Sequence, residues 1–234
     1  MKIFKHKLGF VAVALFLLLG QTLLEKELVL DANSSYSYLT ATDAFQLGGT
    51  SSSSLDTSDG SIILNCEIKK SDYAWPFCNI TFMFYYHGES IVGDGLNFND
   101  YEFMVIKAEY KNRKDLSLRL QIRAFDPMYA AKDNIESWKF MCIEFWPKST
   151  GETVVPLDTL QVPSWWRIQN QIDVLNSGLD FDNVMALELA TGSNTSPGSY
   201  QIVIEEIKLV GRYISKERTY GIIVFLVVLV VIYM

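Results

Sequence analysis

The sequence predicts an all-β fold: an antiparallel β-sandwich or jelly roll, flanked by two transmembrane helices. Three observations predict it. Leu116, Leu118, Leu120, Ile122 and Ala124 alternate with Ser117, Arg119, Gln121 and Arg123, the period-two pattern of a half-buried strand. Turn residues at Gly93-Asp94-Gly95, Asn112 to Asp115, Ser149-Thr150-Gly151 and Gly192 to Gly198 separate further β-rich runs. Two apolar segments, Leu8 to Leu24 and Tyr220 to Met234, bracket the whole.

From the N-terminus, Lys2, Lys5 and Lys7 precede the first apolar segment, so residues 1–24 read as a cytoplasmic tip and an anchor with a cytoplasmic N-terminus. A bilayer core of ~30 Å needs ~20 helical residues, with ~17 as the lower bound. The first segment just reaches that length. Gly20-Gln21-Thr22-Leu23-Leu24 offers no A-x-A-like cleavage site, which favours an uncleaved anchor over a signal peptide. Residues 25–219 form one extracytoplasmic domain of about 195 residues, enough for one sizeable core. Asn33 to Asp59, rich in Ser, Thr, Gly and Asp, reads as a loop with Ser51 to Ser54 as a low-complexity knot. Short strands are expected within it near Tyr36–Leu39 and Phe45–Leu47. Strands follow at Ser61–Ile68, Ile80–Tyr86, Tyr101–Tyr110, the alternating run from Leu116, Trp138–Trp146, Asn183–Thr191 and Tyr200–Val210. Gln161 to Asn176 is the one stretch suited to a helical turn, with an irregular start at Pro163. Residues 220–234 read as a second transmembrane helix, truncated at fifteen residues.

All 27 acidic residues fall between the apolar segments, with 17 of the 20 basic ones, so the outer domain carries a net charge of −10. That balance excludes nucleic acid as a partner, since phosphate backbones need clustered Lys and Arg. A small neutral or cationic ligand stays compatible with it. Cys66, Cys78 and Cys142 suggest one bridge and one leftover thiol in an oxidising compartment. Ile62, Leu64, Cys66 and Ile68 share one strand face, as do Cys78, Ile80, Phe82 and Phe84 on the next. A Cys66–Cys78 disulfide is therefore expected, against the alternative of three reduced cysteines. Cys142, between Met141 and Ile143, reads as core.

Catalytic constellations are not in view. The outer domain's single histidine, His87, cannot assemble a zinc site or a nucleophilic triad. Glu205 and Glu206 are adjacent, so on a strand they face opposite sides and cannot flank one glycosidic bond. Asp180 and Asp182 share a face in a loop-like run. They read first as solvated turn residues, then as a structural calcium site, and last as a catalytic pair. No other cofactor is expected.

Aromatic residues are the stronger lead. Trp165 and Trp166 are adjacent, so one ring should pack on the sandwich while the other covers a pocket or rim. Trp138 joins them as a ligand-binding candidate. Trp75, beside Pro76, reads as core. Arg119 and Arg123 project from the polar face of the clean strand and could form a groove for a carboxylate ligand. The alternative is a solvated face paired with local acids.

Several runs taken together carry a family resemblance. They are Asn65-Cys66-Glu67, Tyr73-Ala74-Trp75-Pro76-Phe77-Cys78, Leu116 to Arg123, Val162-Pro163-Ser164-Trp165-Trp166, Asp180-Phe181-Asp182-Asn183-Val184 and Glu206-Ile207-Lys208-Leu209-Val210-Gly211. Over roughly 61–234 the chain resembles the extracytoplasmic input domain of bacterial membrane-bound diguanylate cyclases. The resemblance implies a galactose-binding-like sandwich between two transmembrane helices, a bacterial inner-membrane location, and a homodimer. It also implies a ligand-sensing role upstream of a cytoplasmic GGDEF domain. No Gly-Gly-Asp-Glu-Phe signature occurs in this chain, so no cyclase activity is expected of it. The alternative reading is a membrane-anchored carbohydrate-binding or adhesion protein, its ligand a small molecule or carbohydrate.

Overall fold

Alternating apolar residues in this chain must bury one face of each strand, and they do so by closing two sheets on each other. The computed structural model describes residues 9, 13, 16, 20, 25–57, 60–87, 90–91, 95–111, 113–148, 151–213, 220–225, 228 and 232. In chain order the strands are β1 (Glu25–Leu30), β2 (Ser37–Thr42), β3 (Ser52–Asp56), β4 (Ile62–Ile68), β5 (Cys78–Met83), β6 (Tyr86–His87), β7 (Ser90–Ile91), β8 (Tyr101–Tyr110), β9 (Leu118–Ala124), β10 (Lys139–Phe145), β11 (Thr153–Pro156), β12 (Val184–Thr191) and β13 (Gly198–Arg212). One short helix, α1 (Ser164–Gln169), follows β11.

The first sheet runs β11-β8-β13-β4-β3, and the second runs β10-β9-β12-β5-β2. Every pairing is antiparallel, and β6 and β7 form a separate small ribbon. Strand β13 is the spine of the first sheet. One edge lies along β8; the other is shared, with β4 pairing residues 198–204 and β1 pairing residues 207–212. Glu25 and Arg212 are register partners, so both ends of the domain leave from the same end of the sandwich.

The core lies between the sheets. Ile62, Leu64, Ile80, Phe82, Met104, Leu118, Leu120, Ile122, Leu187 and Leu209 are inaccessible or nearly so. Burying each such side chain contributes roughly 1.5–3 kcal/mol. The Cys66–Cys78 disulfide joins β4 to β5 and so ties one sheet to the other. Cys142 is the free thiol, but it is not core. It sits half-buried on the outer face of β10, where its backbone bridges to Gln161, and burial pushes its thiol pKa up.

Other expectations give way locally. Phe45 and Leu47 are not in a strand: Asp43–Phe45 is a single 3-10 turn, because the Thr42 hydroxyl accepts from the Ala44 amide and caps it. Both apolar side chains are left exposed. The serine knot does form a strand, β3, since an edge position needs backbone pairing to β4 more than it needs apolar side chains. Trp75 is 72% exposed rather than core. Among the described residues no helix is long and apolar enough to cross a membrane. Of the two expected spans, the described residues are 9, 13, 16, 20, 220–225, 228 and 232, all helical; the rest of both spans lies outside the described residues.

Candidate functional site

The outward-facing residues of the second sheet are unusual for a sheet surface, because several are buried. In three successive rows across the strands, the register aligns Glu144, Arg119, Ala190 and Asn79; then Cys142, Gln121, Glu188 and Thr81; then Phe140, Arg123, Ala186 and Met83. Gln121, Glu188, Asn79 and Thr81 are only 4–7% exposed. An open sheet face would leave such side chains in water, so this face is recessed. Ala186 and Ala190 flank Glu188 on the central strand and are themselves fully buried.

Long-range pairing fixes the floor. Arg123 Nε donates to Glu188 Oε1 at 3.0 Å, and Asn79 Nδ2 donates to Glu188 Oε2 at 3.1 Å. Asn79 Oδ1 in turn accepts from the Ala41 amide on β2. A carboxylate this buried is tolerable because both oxygens are satisfied and a cation faces it. At the top of the face, Glu144 Oε1 accepts from the Ser117 hydroxyl and from the amide and hydroxyl of Ser193. Burial opposes ionisation of Glu144, but these hydrogen bonds and the Arg119 charge outweigh it and hold the carboxyl below the usual carboxylate range.

Aromatic side chains stand over the floor. The Arg123 guanidinium lies 4.4 Å from the Phe140 ring centroid, and Trp165 packs on Phe140 at 5.5 Å with its indole 57% exposed. Proline at 163 opens α1, and Gln171, in the left-handed region at φ 54°, follows its end, so the helix presents Trp165 beside β10. Tyr73, from the β4–β5 connection, is half-buried. Burial first, then the charges of Asp43 and Glu136, push its phenol pKa up, while Arg119 pulls it down.

Of the ligand-binding candidates, the structure brings Arg119, Arg123 and Trp165 to this face. It does not bring Trp166 or Trp138 there. Both are 1% exposed, and their indole N–H groups donate to the carbonyls of Glu136 and Ala131. Their rings have no open face because each is enclosed by the long β9–β10 connection, Trp138 also packing edge-on against Tyr85. Asp180 pairs with the buried Lys139 at 3.6 Å and accepts from the Asp182 amide, while Asp182 accepts from Asn99 Nδ2. These are turn and pairing roles, and among the described residues no group of three potential metal ligands forms. Gln121, Glu188 and Asn79 were not singled out by the sequence. The signal for Gln121 was present, since it occupies the same strand face as Arg119 and Arg123.

A second groove, of about 610 Å³, lies on the outer face of the first sheet beside Ser52, Ser54, Asn65, Glu67 and Gln201. Its side chains bond to one another, Gln201 Nε2 to Asn65 Oδ1 and Ser52 Oγ to Glu67, and its two tyrosines are buried. It lacks an exposed aromatic platform, so the recessed face is the better candidate.

The sandwich is similar to that of the family 11 carbohydrate-binding module from Clostridium thermocellum, solved in complex with a β-1,3-1,4-mixed-linked tetrasaccharide. The TM-score is 0.53 at 14% identity, covering 80% of this chain and 96% of that one. The solution structure of CtCBM11 gives a TM-score of 0.52 at 13% identity, covering 80% and 95%. At these identities the likeness shows the fold alone, an all-β antiparallel sandwich of two sheets. The chain matches no protein-family model. No curated protein matches it.

Proposed function

We propose that residues 25–213 form a carbohydrate-binding domain, held at the outer side of a bacterial inner membrane by the flanking apolar segments, and that the recessed face of the second sheet is its binding site. The observation that carries this reading is the recessed floor itself. It combines buried polar groups with an exposed indole beside them, the combination that a sugar ring requires. Ring hydroxyls need fixed donors and acceptors, and the apolar C–H face needs a flat aromatic platform. The fold neighbour solved with a bound tetrasaccharide supports the same class of ligand. No catalytic role is proposed, in keeping with binding modules of this fold.

Electrophoresis of the purified full chain through gels containing mixed-linked β-glucan or glucuronoxylan tests the reading. Retarded migration is expected in at least one polysaccharide, and it should weaken in Trp165→Ala. Unchanged mobility in both would overturn it.

A second reading, an input module for a cytoplasmic diguanylate cyclase, is favoured by one observation. Strand β13 runs the length of the sandwich and pairs with β1 over residues 207–212, the ends of the two strands nearest in sequence to the apolar segments, so strain at the domain could reach them. An open reading frame continuing past Met234 into a signalling domain would support it; a stop codon there would not.

A further inference from the structure

Resting on the carbohydrate reading above, we infer that the recessed face selects glycans bearing a carboxylate, a uronic acid substituent, with Arg119 and Gln121 as its seat. The argument is a comparison of spare donors with spare acceptors. Most acceptors are used internally; Glu144 Oε2, which faces Arg119 at 3.7 Å, and the Gln121 amide oxygen are the exceptions. Both oxygens of Glu188 and the carbonyl oxygen of Asn79 accept from protein groups, and Glu144 Oε1 takes three donors. The donors are not. The nearest partner of the Arg119 guanidinium is Glu144 Oε2, at 3.7 Å, beyond hydrogen-bond distance. Among the described residues no hydrogen bond engages any of its five N–H groups. Gln121, 7% exposed, likewise makes none through its side-chain amide among them.

Neither side chain is sealed from solvent: 29% of the Arg119 side chain is exposed, and the Gln121 amide is not among the buried atoms left without a partner. Arg119 and Gln121 are two residues apart on β9, so they project from the same face about 7 Å apart. Ala190 lies directly across from Arg119. Sugar hydroxyls give and take hydrogen bonds in equal measure, whereas a carboxylate only accepts. A floor with spare donors and few spare acceptors therefore favours the carboxylate, and a guanidinium can grip it with two parallel bonds. Thr81 and Tyr73 add hydroxyls for the neighbouring ring.

Arg119 and Arg123 against Glu144 and Glu188 leave the face itself neutral within an acidic domain. The seat thus acts at hydrogen-bond range rather than by long-range attraction. It suits a chain with occasional carboxylates better than a polyanion charged at every ring.

The test measures affinity of the full chain for glucuronoxylan, for the same polymer after its carboxylates are reduced to alcohols, and for neutral mixed-linked β-glucan. Carboxyl reduction should weaken binding about tenfold or more, the range of one charge-assisted hydrogen-bond pair. Arg119→Gln should abolish the preference. Gln121→Glu, which sets a like charge against the ligand, should lose native glucuronoxylan while keeping the reduced polymer, and it serves if the arginine variant misfolds. Equal affinity for native and reduced polymer, or a preference that survives both substitutions, would overturn the inference while leaving sugar binding intact. Binding to none of the three polymers would overturn the carbohydrate reading as well.

Discussion

Two adjacent tryptophans divide the work at the level of single residues. Trp166 is buried and its indole N–H is satisfied by a backbone carbonyl; Trp165 is exposed on Phe140. Trp166→Ala should cost about 3–5 kcal/mol, the usual range for deleting a buried indole, and urea unfolding measures it. Trp165→Ala should cost about 1 kcal/mol or less, because it removes only one-sided packing, and its effect should appear in glycan binding instead. The reverse pattern would place the platform on the wrong ring. Glu144 gives a second residue-level prediction, this time in pH. Its folded-state carboxyl lies below the ordinary value of about 4.3, so its contribution is present above that pH and is lost as pH falls through the folded value. The stability gap between wild type and Glu144→Gln should therefore be full near neutrality and close on acidification. A gap that stays constant across urea titrations at several pH values would mean that the carboxylate charge is not what the Ser117 and Ser193 bonds read.

At the scale of elements, the disulfide has the clearest consequence. Cys66 and Cys78 are 12 residues apart and join opposite sheets. Closing so short a loop contributes roughly 3 kcal/mol by the chain-entropy estimate. The Cys66→Ala/Cys78→Ala pair should lower unfolding stability by about that amount, and peptide mapping without reductant should find Cys142 alone as a free thiol. This bridge was legible in the sequence, because period-two alternation placed both sulfurs on inner faces of neighbouring strands. β8 and β9 were legible for the same reason: an apolar face against a polar one is a local signal. β1, β3 and β11 were not, since Glu25–Leu30, the serine run and Thr153–Pro156 are edge or short strands held by backbone pairing to a neighbour distant in the chain. The site shows the same division. Arg119 and Arg123 announced themselves by alternation, but their setting did not. Glu188 lies in an otherwise apolar run, 65 residues beyond the arginine that it pairs with, and only the β9–β12 register brings them together. Adjacency told that one of Trp165 and Trp166 should be outside, but not which, because the period separates two neighbours without saying which face of a short element is turned inward.

At the scale of the whole molecule, the register of β1 with β13 sets the orientation of everything else. Because Glu25 faces Arg212, the chain enters and leaves the sandwich at the same end. Strand β13, at 15 residues and about 3.3 Å each, then runs about 50 Å away from that end. Its first residues, with Ser52 and Glu67 beside them, mark the opposite end, where the β2–β3 connection exposes Leu47 completely. If both apolar segments enter one bilayer, the recessed face stands parallel to the long axis of the domain and clear of lipid, and Leu47 is among the residues farthest from the membrane. A chain carrying Leu47→Cys, with Cys142→Ser to silence the free thiol, should then react with a membrane-impermeant maleimide on intact spheroplasts as fully as after lysis. Leu30 is fully buried and β1 covers half of one edge of β13, so deleting residues 1–30 should destabilise the sandwich itself, whereas deleting residues 1–24 should leave its stability unchanged. Labelling that appears only on lysis would put the domain on the cytoplasmic side, and equal stability of the two deletions would mean that β1 is a passenger on the sheet and not part of its frame.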